Sequence, residues 1–469
     1  MVVKLQTSFL TLLFHFSIVN SLKYITIPFQ VKKFDYKEDK KGLLHDYLYK
    51  DILINLSFGT PKQTVPLLAG MGEYSTYIVS KEATDLEGAI FDKKLSTSYF
   101  TNFEINEIYS YQTFSHAFPS RETFHLDYPE IQVDDYEFFL VTKVGKNICY
   151  LPYCEILTQP GVLGFRMAQS ETYSEIVNNT NLVVQLKNKE VIDNYDFCFF
   201  FESPEKGTIV IGQKPHEYDK SHYKQENFKF TKVTIDNTKE LDWGLNFNKI
   251  FYGKEEIASD KTMLLRVEYG LINGNKNWQE VLEKNFFGEL MKQNKCFKGK
   301  GWNDGHNYFH YYCNKGTDLS SFNPFIFVID DLDYNLTMTK EDLFVENGDK
   351  LLFLIIFGHP QAILGYPVFK KYQFIFNQDT RTIGLYSKID GTPSTPASPD
   401  ASRFPSGKEE NPGSYRLIII MLFFVIFILC IYLFISYLRG RKLREMKLIL
   451  NKQNNNSEIQ LVDYEKYDK

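Results

Sequence analysis

The sequence predicts a mainly β protein of two lobes that carries one membrane-spanning helix near its C-terminus. Three observations support the β lobes. From about residue 46 to 390 the chain reads as short apolar runs separated by turn residues, with few long amphipathic stretches. Phe and Tyr supply 41 and 31 of the 469 residues, and aromatic side chains of this abundance suit half-buried pleated strands. An apolar-apolar-Gly phrase also recurs, as Val162-Leu163-Gly164 and Ile363-Leu364-Gly365, each after a strand and a glycine-bearing turn.

In chain order, residues 1–21 read as a signal peptide: MVVK gives the positive start, FLTLLFHFSIV the short apolar core and Val19-Asn20-Ser21 the small-residue exit. Residues 22–45 form an N-terminal or pro-like segment, lysine-rich in FQVKKFDYKEDKKG. The N-terminal lobe is expected over 46–225 and the C-terminal lobe over 226–390. One helix is predicted at NWQEVLEKNFFGELMK, where Trp278, Leu282, Phe286 and Leu290 make one apolar face, and a second in ETYSEIVNNTNLVVQL. Residues 391–413 are a Pro/Ser-rich stalk. Residues 414–438 are the transmembrane helix, whose apolar run Leu417 to Leu438 extends about 33 Å at 1.5 Å per residue. Arg439, Arg441, Lys442, Arg444 and Lys447 follow it, so 439–469 is a cytosolic tail. A single-pass type I protein of the secretory pathway or cell surface is expected, with its ectodomain luminal or extracellular.

The net charge of −5, with basic residues concentrated only after the span, argues against a nucleic-acid partner. Of six cysteines, Cys430 lies in the span. Cys149 with Cys154 and Cys296 with Cys313 are disulfide candidates, which leaves Cys198 as a core thiol, although spacing alone fixes no pairing. Cys296, His306, His310 and Cys313 also invite a zinc reading. A disulfide-closed loop with two solvated histidines is favoured, because structural zinc ligands usually come in close pairs. No metal and no cofactor are expected, and no phosphate loop or Ser/Cys nucleophile motif is present. Sequons make Asn178 and Asn335 glycosylation candidates, whereas Asn55 falls inside a strand and is expected to be inaccessible.

Several segments together resemble the pepsin-like aspartic proteases. YLYKDILINLSFGTPKQTVPLL is similar to that family's first strands, GVLGF (161–165) to the segment closing its first lobe, and NYDFCFFFESPEKGTIVIG to its interlobe strands. LDWGLNFNKIFYGKEEI resembles the start of the second lobe, and AILGYPVFKKYQFIFNQDTRTIGLYSK the terminal signature. The likeness covers nearly all of 46–389 in the family's order and implies a bilobal β fold with a pseudo-twofold axis.

The resemblance also implies where the reactive Asp-Thr-Gly-Ser/Thr motifs lie. The first falls on Gly70, Met71, Gly72 and Glu73; the second is matched to Glu268, Tyr269, Gly270 and Leu271 in LLRVEYGLINGN. In this family two carboxylates about 3 Å apart share one proton, one activating water while the other polarises the carbonyl. Gly70 has no side chain for that work, and Glu268 is one methylene too long. The family's Thr hydroxyls, which tie the loops together, are replaced by Met71 and Tyr269; Gly72 and Gly270 are retained, as a tight turn requires. The flap between Phe91 and Val144 lacks glycine, with Tyr109, Tyr111 or His116 near its tip. A relocated carboxylate at Glu73 is disfavoured, since a neighbouring loop side chain should point elsewhere. The expectation is a membrane-anchored pseudoprotease that binds a peptide or protein ligand in the interlobe cleft. A working endopeptidase with an unorthodox dyad is the alternative, and an adhesion ectodomain of unrelated β fold a third.

Overall fold

The computed structural model describes residues 23–32, 50–83, 90–101, 114–127, 130–144, 161–167, 180–234, 242–303 and 306–386. Their first strands are β1 (Ile25–Val31), β2 (Ile52–Phe58), β3 (Gln63–Gly70), β4 (Tyr77–Val79), β5 (Phe100–Thr101), β6 (Phe114–Asp127), β7 (Glu130–Val144) and β8 (Gly161–Gly164). Next come β9 (Asp196–Ser203), β10 (Lys206–Ile211), β11 (Phe228–Lys232), β12 (Gly244–Tyr252), β13 (Glu255–Leu265), β14 (Ile272–Gly274), β15 (Cys296–Asn303) and β16 (His306–Asn314). The last are β17 (Phe325–Ile329), β18 (Tyr334–Met338), β19 (Phe344–Asn347), β20 (Lys350–Phe353), β21 (Ile355–Phe357), β22 (Ile363–Leu364), β23 (Phe374–Asn377) and β24 (Thr382–Tyr386).

Two sheets result. One runs β11-β24-β23-β9-β10-β1-β2-β3-β8-β4-β7-β6-β5 with an extra β2–β6 contact, and the other β18-β17-β12-β13-β22-β14-β21-β16-β20-β19 with β15 on β16. Alternation explains β1, whose Ile25, Ile27, Phe29 and Val31 face the core while intervening residues face out. In β9 the run DFCFFF is buried on both faces, because Phe197, Phe199 and Phe201 pack into the main core while Cys198 and Phe200 pack with Val210 and Ile375 in a separate cluster.

Three expectations are corrected here. Residues 25–31 of the supposed pro-like segment form an interior strand, registered Ile25↔Ile211 on β10 and Gln30↔Leu53 on β2. Detaching them would bare two strand edges. The division at 225/226 does not follow the sheets, since β11, β23 and β24 from the second half extend the first sheet through β9. Asn55 lies in β2 as expected, but its side chain is exposed, opposite Pro66 of β3.

The helix predicted at 277–292 is present as α2 (Lys276–Leu282), a π turn (Glu283–Phe287) and α3 (Gly288–Lys292). Asn275 caps it by accepting from the Trp278 N–H at 3.0 Å, and Trp278, Leu282 and Phe286 are buried. Of the other predicted helix, α1 (Leu182–Asn188) is described, capped by Asn181.

Cys296 and Cys313 form a disulfide between partner positions of β15 and β16, and Cys198 is a free, buried thiol. The histidines are not a solvated pair. His310 lies on a strand with its ring against Gly299, is buried, and has its pKa pushed down to about 4 by that burial. Cys149, Cys154, Asn178, Tyr109, Tyr111 and the segments 391–413, 414–438 and 439–469 lie outside the described residues. Among the described residues no helix is long and apolar enough to cross a membrane.

Candidate functional site

The two halves meet the core through the same three-strand crossing. In one, β3 runs parallel to β8, pairing Leu68↔Val162, Ala69↔Leu163 and Gly70↔Gly164, and β4 lies antiparallel to β8 with Tyr77↔Val162. In the other, β13 runs parallel to β22, pairing Leu264↔Ile363 and Leu265↔Leu364, and β14 lies antiparallel to β22 with Ile272↔Leu364. Laid over each other, these registers make Leu68 the mate of Leu264 and Gly70 the mate of Arg266. The connecting loops are equally long, so Met71 corresponds to Val267, Gly72 to Glu268 and Glu73 to Tyr269. Both repeated glycines make room for a backbone carbonyl. A Cβ on Gly164 would lie 2.4 Å from the Tyr74 carbonyl oxygen, and one on Gly365 2.1 Å from that of Tyr269.

This register corrects the match of Gly70 with Glu268. The residue opposite Gly70 is Arg266, two positions earlier, and Tyr269, Gly270 and Leu271 move along the motif with it. Neither Gly72 nor Gly270 adopts the left-handed backbone that a turn glycine serves. A Cβ at Gly72 would be crowded instead, 3.1 Å from Glu268 Oε1 and 3.6 Å from Arg266 Cζ.

Arg266 and Glu268 cross between the halves in opposite senses. The Arg266 guanidinium donates from Nη1 to the Met71 carbonyl at 2.6 Å and to Asp242 Oδ1 at 2.7 Å, and from Nη2 to Asp242 Oδ2. Asp242 also accepts from the Trp243 N–H at 2.8 Å, and Arg166 Nε lies 3.6 Å from its Oδ2. In the other direction the Gly72 N–H donates to Glu268 Oε1 at 2.7 Å, and the Lys50 N–H to the Glu268 carbonyl at 2.7 Å. Glu268 Oε2 is buried and meets no hydrogen-bond partner among the described residues. Burial raises the Glu268 pKa above the ordinary carboxyl value, against the opposing pull of Arg266 and of nearby backbone N–H groups.

The remaining motif residues are packing groups or neighbours. Met71 and Val267 are buried in the main core, whereas Tyr269 and Leu271 pack with Tyr308, Leu352, Leu354 and Ile356 in the second half. With Met71 and Val267 as mates, neither side offers a hydroxyl, and the halves are tied instead by the Arg266–Met71 and Glu268–Gly72 bonds. The Glu73 Cβ and Cγ lie 3.5 and 3.6 Å from where a Gly70 Cβ would be. The sequence reading missed Arg266, Asp242 and Arg166. Aligning Leu67-Leu68-Ala69-Gly70 with Met263-Leu264-Leu265-Arg266, at equal distance from the next strand, would have found the first of them.

A family model described as Eukaryotic aspartyl protease matches residues 52–388, the span that contains both crossings. The chain belongs to the eukaryotic aspartyl protease family. No curated protein matches it. Within this aspartyl protease fold Gly70, Gly72, Glu73 and Glu268 come together at the junction of the halves. Cys296 and Cys313 are paired in the β15–β16 hairpin, and Asn335 stands on an outermost strand. Among the described residues no group of His, Cys, Asp and Glu side chains could hold a metal ion.

Proposed function

We propose that this member of the eukaryotic aspartyl protease family does not hydrolyse peptides and binds a peptide or protein ligand between its lobes. Its ectodomain lies in the lumen or outside the cell, on a single-pass type I anchor at 414–438. The observation that carries the reading is the identity of the symmetry mates Gly70 and Arg266, at the strand ends where the family resemblance calls for two carboxylates. Glycine offers no base, and a guanidinium, always charged and without an acceptor, neither takes a proton from water nor shares one with a partner. Asp242 is close, but its oxygens already receive the guanidinium of Arg266 and the Trp243 N–H. Glu268 is a single carboxyl, and one group does not divide the roles of base and acid. The cleft walls come from strands that do not depend on the missing acids, which supports retained binding. The apolar run at Leu417 to Leu438 and the basic residues after it support the anchor.

A second reading has one observation in its favour. The Glu73 side chain stands beside Gly70 and the Glu268 carboxyl has an oxygen to spare, so a Glu73–Glu268 pair is the route by which an endopeptidase would survive here. The two are separated by offering the immobilised full-length chain a diverse peptide pool near pH 4. Retained peptides that elute intact are expected, and recovery of statine-sensitive cleavage products would refute the leading reading.

A further inference from the structure

We propose that Asn335 carries an N-linked glycan that closes the outer edge of the second sheet. The inference rests on the luminal ectodomain proposed above. β18 is the last strand of its sheet: it pairs with β17, Val328↔Asn335 and Ile326↔Thr337, and with no strand on its other side among the described residues. Such an edge is a template for another chain unless something blunts it. Thr337 turns its backbone outward to the Tyr372 hydroxyl, which accepts from the Thr337 N–H at 2.5 Å and donates to the Thr337 carbonyl at 3.0 Å. By the two-residue alternation of a strand, Asn335 turns its backbone to the same side. Both flanks of Asn335 are closed. The Asp333 N–H bonds the Asp330 carbonyl at 2.9 Å, and the Thr339 N–H bonds Asp342 at 2.7 Å. Asn335 therefore sits at the open interval of the edge.

Its side chain is exposed, while Tyr334, Leu336 and Met338 point into the core. Asn335-Leu336-Thr337 is an acceptor sequon. In the transfer Asn335 Nδ2 bonds to C1 of the first sugar of a lipid-pyrophosphate-linked oligosaccharide. The C1–oxygen bond to the pyrophosphate breaks, the pyrophosphate leaves with the electron pair, and the amide gives up one proton. Asn55 is exposed too, but β2 is interior to its sheet and has no edge to guard.

The test is made on the full-length chain from secretory cells, in an Asn55→Gln, Asn178→Gln background. A mobility shift on peptide-N-glycosidase treatment is expected, and it is lost in Asn335→Gln. Asp349→Thr provides the control, because it creates a sequon at Asn347 in the exposed turn at Gly348, where a Cβ meets nothing within 4 Å. Modification of Asn347 without modification of Asn335 overturns the proposal and leaves the luminal reading standing; modification of neither overturns both. For the edge itself, detergent-solubilised Asn335→Gln should shift to dimer in size-exclusion chromatography, while Asn335→Lys, which puts a charge on the edge, stays at wild-type size. An Asn335→Gln protein that also stays at wild-type size would overturn the guarding role.

Discussion

Replacing Arg266 by leucine removes a guanidinium that the Met71 carbonyl and both oxygens of Asp242 share. The Arg266 and Asp242 side chains are only 13% and 9% exposed, so water does little to compensate. Removing one member of a buried pair costs about 3–5 kcal/mol. Part of that is recovered because Asp242 keeps the Trp243 N–H at 2.8 Å and has Arg166 at 3.6 Å. Part is added because the Met71 carbonyl loses its donor, about 1 kcal/mol. A net loss of about 3 kcal/mol follows, which, at about 2.1 cal/mol/K of unfolding entropy per residue over the domain 52–388, lowers Tm by about 4 °C. Thermal unfolding of the full-length chain reads it directly. Asp242→Asn and the double variant complete a cycle, in which the double variant should be less destabilised than the sum of the singles. A loss below about 0.5 kcal/mol, the level of an exposed pair, would refute the lobe-bridging role of Arg266.

Glu268→Gln should change how stability depends on pH. Burial raises the folded-state pKa above the ordinary 4.5, so the stabilising contribution of the protonated group is complete in acid and fades as pH rises through the raised value. Gln keeps the acceptor for Gly72 and abolishes that fade, so Tm-versus-pH curves of the variant and wild type should diverge toward neutral pH; parallel curves would contradict the burial. His310 works in the opposite sense. Its folded pKa of about 4 against 6.5 means the unfolded chain binds the extra proton, so stability falls as pH drops from 6.5 toward 4, by about 3 kcal/mol over the window. His310→Phe should remove that fall in denaturant titrations, and an unchanged fall would exclude His310 as its source. Replacing Cys296 and Cys313 by serine opens a loop of sequence separation 17, and the expected loss is about 3 kcal/mol, read as a lower denaturation midpoint; an unchanged midpoint would contradict it.

The sequence carried much of the fold because short apolar runs between turn residues and the paired Val162-Leu163-Gly164 and Ile363-Leu364-Gly365 phrases are local signals. The 277–292 helix was legible from the apolar spacing of Trp278, Leu282, Phe286 and Leu290. The place of β1 was not, because the lysines after Val31 outweigh a short alternating run whose partners β10 and β2 are distant in sequence or across a long connection. The second loop was matched two residues beyond the symmetry mate of Gly70, because the search favoured a carboxylate and passed over Arg266 at the end of an apolar strand. Nothing in a single sequence says that Asp242, two residues before β12, closes on that arginine. His310 looked solvated because strand packing against Gly299 has no local signature.

Peptide hydrolysis near pH 4 by the wild-type chain, measured beside Gly70→Asp, Glu73→Gln and Glu268→Gln, tests the central claim most directly. All four are expected at the uncatalysed background, since Arg266 still occupies the place symmetric to position 70 in each. Statine-sensitive turnover by the wild type that either glutamine substitution abolishes would contradict it.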